Sequence, residues 1–419
     1  MGLVGRDRLR RARLGALLGA GGLALAACAQ AGAVSAAGPV RGPSPSATPV
    51  TPAGTPASTP GATPASTPSP ASTPTPSTSI GKGEGTLQVL TFQGYVEYGA
   101  TSSRANWLTP FERETGCVVK LDRVRTSEEM AARFATGAYD AVSPAPDLAG
   151  QLVAQGKVAP LDTGLVPGYK HIPKRLRELP GLREDGEVYG IPYLWAVNQV
   201  VHEGSGPEGP AALYGAAPVA IRNSPLSIAD AALALGGTGS EPEAEDPFQL
   251  TPAQLDAAAK LLAEGDGPDR VYWTDSLQLV RALSAGPVRM AQALPYHLDL
   301  FKRAGRPMKT RAGAPATGWV DSWMLAAKPA SPNCAYRWLD WVSSAAAQRP
   351  AAAWTGLAPA NPEACGGQAR RMCEIYRVRD NRWLRDIRFA ARPTRDCGGR
   401  GGECTDYTEW AERWKQLVK

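Results

Sequence analysis

Strands and helices alternate from residue 86 onward, and this alternation constrains the fold more than any other feature of the sequence. TLQVLTF (Thr86–Phe92) has the pattern of a strand, and CVVKLDRV and YDAVSP supply two more strands. Two amphipathic segments lie between them and predict helices, the second of which is capped by Ser127. The order strand–helix–strand–helix–strand predicts a parallel α/β sheet. Ligands usually bind in the loops that follow such strands.

A second α/β series begins near Pro218. VAIRNSPLSIADAALALGG predicts a strand, a turn and a helix, and TPAQLDAAAKLLAEG predicts a helix capped by Thr251. GWVDSWMLAAK predicts a strand, and PNCAYRWLDWVSSAAAQRPAAAWTG is expected to be helical. The final segment predicts an amphipathic helix in which Trp410 and Trp414 are packing residues. At 419 residues the chain is long enough for two or three domains.

The first 27 residues are typical of a secretory signal. Five arginines precede an apolar stretch of 14 residues, Leu14 to Ala27, which is too short to span a bilayer. The stretch ends in Leu25-Ala26-Ala27-Cys28, which resembles the bacterial lipobox, where the cysteine is acylated. We therefore expect residues 1–27 to be removed and Cys28 to be lipidated at the extracellular face of the cell membrane. The alternative is a plain signal peptide with an incidental cysteine.

Residues 28–84 have the composition of a tether. Proline recurs about every four residues between Ala, Ser and Thr, so this segment cannot bury a core and favours extended polyproline II. At about 3.1 Å per residue it reaches on the order of 100 Å. The folded domain is therefore expected within residues 85–419, held away from the membrane.

Charge and cysteine content narrow the functional class. The formal net charge is +6, but five Arg and one Asp in the signal account for +4 of it, which gives no case for nucleic-acid binding. Without Cys28, six cysteines remain in an exported chain, and an even number favours disulfides. The short loop CGGRGGEC predicts the pair Cys397–Cys404. The pairing of the remaining four is open, and no His lies at ligand spacing with a Cys, so we predict no metal site.

Short enzyme signatures are absent from the sequence. It contains no GxSxG, no Walker loop, no HExxH and no glycine-rich dinucleotide fingerprint after a strand. We therefore predict a protein that is not an enzyme and needs no cofactor. A hydrolase that uses a pair of carboxylates remains the alternative, because glycosidases carry no short signature.

The stretch GWVDSWML places an acid between aromatic rings. In a strand, residues two apart point to the same side, so Trp319, Asp321 and Trp323 share one face. An aspartate flanked by flat rings can bind an organic cation through charge and cation–π attraction. The alternative is an ordinary decoration of an edge strand.

Four stretches of the chain carry a family resemblance, and they occur in the family's order: FERETGCVVKLDRVRTSEEM, GAYDAVSPAPDLAGQLVAQGKVAPLDTGLVP, YGIPYLWAVNQVVH and GWVDSWMLAAKPASPNCAYRWLDWV. On these stretches the chain resembles, from about residue 87 to the C-terminus, the extracellular solute-binding proteins of ABC importers. It is most similar to the spermidine/putrescine-binding group, in the form common in actinobacteria.

This resemblance implies an α/β fold of the type II periplasmic-binding-protein kind, with two lobes, hinge strands and a ligand cleft. Lobe 1 would comprise about 86–196 and 320–357, and lobe 2 about 197–319 and 358–419. The implied function is a lipid-anchored, monomeric subunit that delivers a small cationic nitrogen compound, polyamine-like, to an ABC permease in the membrane. A sensor that keeps the fold without transport is a further alternative.

The resemblance also implies the ligand-binding residues. Trp319 matches the ring that stacks on the ligand, and Asp321 matches the acid that binds its amine. The resemblance suggests further candidates in both lobes. In the first lobe these are the aromatic residues Tyr95 and Phe92 of the first loop, Asp147 after the third strand, and Trp195 on the crossing strand. In the second lobe they are Asn223 in a turn, and Trp273 and Asp275, which form a second Trp–x–Asp.

Some of these candidates have structural alternatives. The alternative for Asp147 is that it caps a helix beginning at Leu148. Trp195 is favoured as hinge packing, and Trp273 with Asp275 as a surface turn.

The sequence also departs from the polyamine-binding pattern. The family supplies two acids in the turn that here reads RNSPLS, and its second stacking Trp falls near Leu294. With two acids and one ring missing, a monocationic or zwitterionic ligand fits about as well as a polyamine.

Overall fold

The computed structural model describes residues 79–100, 102–204, 211–215, 218–236, 244–310 and 316–418. The predicted signal segment, Cys28 and most of the predicted tether lie outside these residues. The described residues all fall within one unit of the chain. Among them, no helix combines the length and apolar character needed to cross a membrane.

Fourteen strands are found in the described residues. In chain order they are β1 Thr86–Phe92, β2 Val118–Val124, β3 Ala141–Val142, β4 Arg183–Glu184, β5 Glu187–Val188, β6 Ile191–Val197, β7 Gln199–His202, β8 Val219–Arg222, β9 Val271–Trp273, β10 Met290–Ala293, β11 Lys309–Thr310, β12 Ala316–Leu325, β13 Ala358–Pro359 and β14 Ile387–Phe389.

Fourteen α-helices pack around these strands in the same residues. They are α1 Leu108–Thr115, α2 Ser127–Thr136, α3 Pro146–Ala154, α4 Lys174–Arg177, α5 Ala212–Gly215, α6 Ile228–Gly236, α7 Pro252–Ala263, α8 Ser276–Ala285, α9 Pro295–Arg303, α10 Pro332–Ser343, α11 Ala345–Thr355, α12 Arg370–Ile375, α13 Asn381–Asp386 and α14 Tyr407–Leu417.

Two sheets organise the fold. The larger has the order β13-β6-β12-β3-β1-β2, and β14 pairs with β12 beside this path. β1 runs parallel to β2 and β3, as the strand–helix alternation predicts. The smaller sheet has the order β11-β7-β10-β8-β9, in which β8 is parallel to β9 and β10. We call the two halves built on these sheets the larger and smaller lobes.

The chain crosses between the sheets at Asn198, because β6 belongs to the larger sheet and β7 to the smaller. The Asn198 backbone N–H donates to the Thr317 carbonyl at 2.9 Å, and its amide donates to Thr317 Oγ1 at 2.8 Å. Thr317 Oγ1 in turn donates to Asp230 Oδ1 of α6 at 2.6 Å. These bonds connect the two chain segments that cross between the lobes, at Asn198 and Thr317, with α6 of the smaller lobe.

The predicted lobe boundaries need one correction. Residues 358–419 were expected in the smaller lobe, but β13 pairs with β6 and β14 pairs with the start of β12, so both strands belong to the larger sheet. Two helices of this segment fit the expectation, because α12 packs against α9, and α14 packs against α7 and the turn Pro225–Ser227. The physical reason is strand pairing: the first residues of β12 need a partner, and Ile387–Phe389 supplies it.

The predicted helix caps and packing residues are confirmed in part. Thr251 caps α7 as predicted, and Trp410 and Trp414 are buried. The cap of α2 is Thr126 rather than Ser127, because Thr126 Oγ1 accepts from the Glu129 N–H at 3.1 Å. The predicted helical segment after residue 332 breaks at Ser344, which caps α11 through its hydroxyl.

Three disulfides join the six cysteines that the structure describes. Cys397 pairs with Cys404, which confirms the predicted pair. The other bonds are Cys365–Cys373 and Cys117–Cys334, the last of which links residues 217 apart, at the start of β2 and in the first turn of α10.

We expect the Cys117–Cys334 bond to stabilise the fold more than the Cys365–Cys373 bond. Loop-closure entropy gives about 5 kcal/mol for the long loop and roughly 2.5 kcal/mol for the short one. Denaturant unfolding of Cys117→Ser/Cys334→Ser should show the larger drop in unfolding free energy, with Cys365→Ser/Cys373→Ser as the matched control. Equal losses for the two double variants would contradict this ranking.

Candidate functional site

A cavity of about 490 Å³ lies between the two sheets. The larger sheet contributes residues that follow β1, β2 and β3, and the smaller sheet contributes residues that end or follow β8 and β9. The cavity therefore opens at the carboxyl ends of parallel strands, where α/β folds usually bind ligands. Its remaining walls include parts of β12 and α14, together with Asn198, Phe248 and Ala390.

Trp319 and Asp321 form part of the cavity wall. Their strand, β12, lies between β6 and β3, and all ten of its residues are buried, so the edge-strand alternative is wrong. The pairing of β12 with β6 shifts register between Asp321 and Ser322, a bulge that changes how side chains are aimed locally. Trp323, by contrast, is a core residue, with its ring 5.2 Å from that of Trp338.

Tyr95 and Asp321 are hydrogen-bonded at this wall. The Tyr95 hydroxyl donates to Asp321 Oδ2, and the Tyr95 carbonyl accepts from Tyr193 at 2.9 Å and from Trp107 at 3.2 Å. Burial raises the pKa of Asp321 to about 7, although Tyr95 and the nearby Arg222 act to lower it. Asp321 Oδ1 is buried and has no hydrogen-bond partner within the described part of the chain.

Arg222 places a cation beside the same acid. Its guanidinium carbon lies 4.7 Å from the centre of the Trp319 ring. Burial lowers the pKa of Arg222, whereas the charge of Asp321 acts to raise it. The ring that was predicted to stack on a ligand cation therefore already stacks on a cation of the protein itself.

Asp147 lies across the cavity on α3, and its side chain is mostly buried. Its two carboxylate oxygens accept from the Ser127 and Tyr407 hydroxyls, each at 3.2 Å. Burial raises its pKa, and the two hydrogen bonds oppose that shift. The capping alternative is wrong, because α3 begins at Pro146 with Ala145 in the cap position.

The structure brings six of the nine candidate residues to the cavity. Besides Trp319, Asp321, Tyr95 and Asp147, the cavity is lined by Phe92 and Asn223. The Phe92 ring meets Tyr95 edge-on at 5.6 Å. Asn223 Oδ1 accepts from the indole N–H of Trp414 at 2.9 Å.

The other three candidates lie elsewhere. Trp195 is fully buried and donates to the Pro359 carbonyl at 3.0 Å, consistent with the packing alternative. Trp273 is also a core residue, with its indole N–H bonded to the Gln292 carbonyl. Asp275 caps α8 by accepting from the Gln278 N–H at 2.9 Å. None of the three lines the cavity, so their assignment to the ligand site is corrected.

Sequence reasoning missed several residues that line the cavity. Those with charged or aromatic side chains are Arg125, Glu128, Arg222, Phe248, Tyr407, Trp414 and Lys415. The sequence does hold a signal for Arg222 as a site residue, because it ends a predicted strand and begins the turn RNSPLS. The residues of α14 had none, since only the tertiary fold brings the C-terminal helix to the cleft.

Comparisons with known proteins identify a matching family and several similar structures. Residues 216–366 match the family described as bacterial extracellular solute-binding protein. The substrate-binding protein PotD of a Streptococcus pneumoniae spermidine/putrescine ABC transporter has a similar structure, with TM-score 0.60 and 14% identity over 80% of this chain and 99% of that chain.

Two further structures are similar. The PotD lipoprotein of Treponema pallidum has TM-score 0.59 and 15% identity, over 79% of this chain and 99% of that chain. The binding protein MotA of A. tumefaciens, in complex with glucopine, has TM-score 0.57 and 17% identity, over 80% of this chain and 99% of that chain. The chain thus has the two-lobed fold of periplasmic binding proteins, and the resemblance to extracellular solute-binding proteins is confirmed.

The raised pKa of Asp321 predicts how stability depends on pH. The folded protein holds this proton up to about pH 7, whereas the unfolded chain releases it near 3.8. The folded state therefore binds more protons between these values, and ionisation of Asp321 lowers stability as pH rises through this window. Between pH 5 and pH 8 the unfolding free energy of Asp321→Asn should rise by roughly 2 kcal/mol relative to the unmodified protein.

Denaturant unfolding at the two pH values measures this difference. Asp275→Asn is the matched control, because asparagine also caps helices and the position lies outside the cavity. A relative stability of Asp321→Asn that stays constant or falls with pH would show that the proton is not held on Asp321.

Proposed function

We propose that this protein is the substrate-binding subunit of an ABC importer and binds a small solute with a cationic nitrogen in the cavity between its lobes. The observation that carries the proposal is the cavity itself, which is walled by both sheets at the carboxyl ends of their parallel strands. Its volume of about 490 Å³ suits a small organic molecule. The proposal gives the cavity carboxylates no catalytic step.

The charge balance of the cavity favours one cationic nitrogen over several. Three cationic residues line it, Arg125, Arg222 and Lys415, together with three acids, Glu128, Asp147 and Asp321. A polyamine would need an excess of acids to balance its separate ammonium groups. A solute with a single cationic nitrogen fits an evenly charged lining better.

Asp147 is the acid best suited to bind that nitrogen. Asp321 already has Tyr95 and Arg222 beside it, whereas the Asp147 carboxylate accepts from two neutral hydroxyls and Arg392 binds the backbone carbonyl of Asp147 instead. The rings of Phe92 and Tyr95 add aromatic surface in the same cavity. One charge-assisted hydrogen bond is worth about 1.5–3 kcal/mol and each cation–π contact about 0.5–2 kcal/mol. A few such contacts, with burial of the solute, reach the roughly 8 kcal/mol of a micromolar complex.

Transport requires two further parts. We propose that the lobes close on the solute by rotation about the segments near Asn198 and Thr317, which presents a new surface to a membrane permease. We also propose that a lipid on Cys28 and the proline-rich tether hold the monomeric domain at the extracellular face of the membrane. The lipobox-like sequence and the composition of residues 28–84 support this anchoring.

Native mass spectrometry of the protein purified from its own host tests solute binding most directly. We expect the full chain to carry an added mass that is released on unfolding and that contains a basic nitrogen. Calorimetry with spermidine, putrescine and glycine betaine then ranks the solute classes. We expect betaine, which has a single cationic nitrogen, to bind better than either polyamine. Its quaternary nitrogen has no N–H, so charge attraction to Asp147 and cation–π contact hold it in place of a hydrogen bond.

The substitution Asp147→Asn should weaken binding of the preferred solute by about tenfold to hundredfold, since it removes one charge-assisted contact. Asp275→Asn, outside the cavity, is the matched control and should leave the affinity unchanged. If Asp147→Asn binds as tightly as the unmodified protein, Asp147 does not hold the cation. Failure of every solute to bind, with no co-purified mass, would refute the proposed function.

A further inference from the structure

The side chain of Arg222 indicates a second chemical feature of the solute. We propose that the solute also carries an anionic group of the carboxylate type, and that the guanidinium of Arg222 binds it. The inference rests on the proposed function and deepens it, because it names an amphoteric nitrogen compound as the substrate class.

Arg222 is held in a fixed position at the cavity. It is the last residue of β8, and its backbone N–H donates to Gln292 Oε1 at 2.9 Å. Its guanidinium stacks on Trp319, whose side chain is 9% exposed. Stacking on an indole holds the guanidinium plane in place while its N–H edge stays available for hydrogen bonds.

The donors of that guanidinium have no hydrogen-bond partner in the described residues, although the charges of Asp321 and Asp230 act on it. There, no carboxylate oxygen lies within 4.0 Å of its nitrogens, and its N–H groups donate no hydrogen bond. Arg306 and Arg371 differ, since each binds a carboxylate with two nitrogens, on Glu203 and Asp299 respectively. Arg222 thus brings a fork of donors to the cavity with geometry suited to a carboxylate.

The same stack excludes a ligand cation from this part of the cavity. A cation placed at the Trp319 ring would meet the positive charge of Arg222, and like charges at such distances repel. Asp321 does not reverse this, because burial raises its pKa to about 7 and its Oδ2 already accepts from the Tyr95 hydroxyl. The cationic nitrogen therefore belongs near Asp147, and the region of Arg222 is left to an anion.

The other two cationic residues of the cavity are less suitable for the anion. Arg125 and Lys415 are exposed, so water and salt screen their charges. Arg222 is partly buried against an aromatic face, and its attraction for an anion is screened less. We therefore assign the recognition of the anionic group to Arg222.

Matched pairs of probes that differ in the acid group test this assignment on the full chain. Glycine betaine is compared with choline, and 4-aminobutyrate with n-butylamine, by calorimetry. We expect the unmodified protein to prefer the carboxylate member of a pair by about tenfold to hundredfold, the range of one charge-assisted contact. Arg222→Gln should reduce that preference to about twofold or less.

Two further variants separate recognition from folding. Arg281→Gln removes an exposed arginine of α8 in the same lobe and should keep the full preference. Arg222→Lys retains the charge beside Asp321 and loses the planar fork, so it should keep only part of the preference. Should Arg222→Gln fail to fold, the partial loss in Arg222→Lys still decides the question, and an unchanged preference there refutes the inference.

The outcomes distinguish this inference from the proposed function. Equal binding of the two members of each pair, stronger binding of the amine-only member, or a co-purified solute without an acidic group would overturn the role of Arg222 and leave solute binding intact. Absence of binding by all four probes, with no co-purified solute, would overturn both proposals together.

Discussion

The contact on which the cavity depends is the stack of Arg222 on Trp319 beside Asp321. Arg222 comes from the smaller sheet, while Trp319 and Asp321 come from the larger one, so the contact spans the space between the lobes. It joins a ring, a cation and an acid, and the two ionisable groups are costly to bury without polar partners.

Many strands and helices of the fold could be predicted from the sequence, because local residue patterns determine them. Alternating residues, caps and glycine stops mark β1, α1 and β2, and the helix-capping pattern at Thr251 marks α7. Strand pairing between distant segments is different. Ile387–Phe389 gave no sign that it pairs with the start of β12, because that choice depends on which strand edge is left open once the sheet has formed.

The residues of the site could be predicted to a similar extent, and part of that prediction failed for related reasons. The period of a strand places Trp319 and Asp321 together, and the structure finds both at the cavity. That period cannot say which residue of the other sheet faces them, and this is why Arg222 was missed. Asp275 shows the opposite error, since the spacing from Asp275 to Gln278 is that of a capping box and already indicated a helix start.

The C-terminal segment shows why the cavity cannot be understood from the two sheets alone. Arg392 donates to the Asp147 carbonyl at 2.6 Å and lies over the Tyr407 ring at 4.5 Å, while Tyr407 bonds the Asp147 carboxylate. An acid of the larger lobe is therefore oriented by a helix that packs on the smaller lobe. In the proposed closure the placement of Asp147 is coupled to the separation of the lobes, because one of its two carboxylate hydrogen bonds comes from Tyr407 and the other from Ser127 of its own lobe.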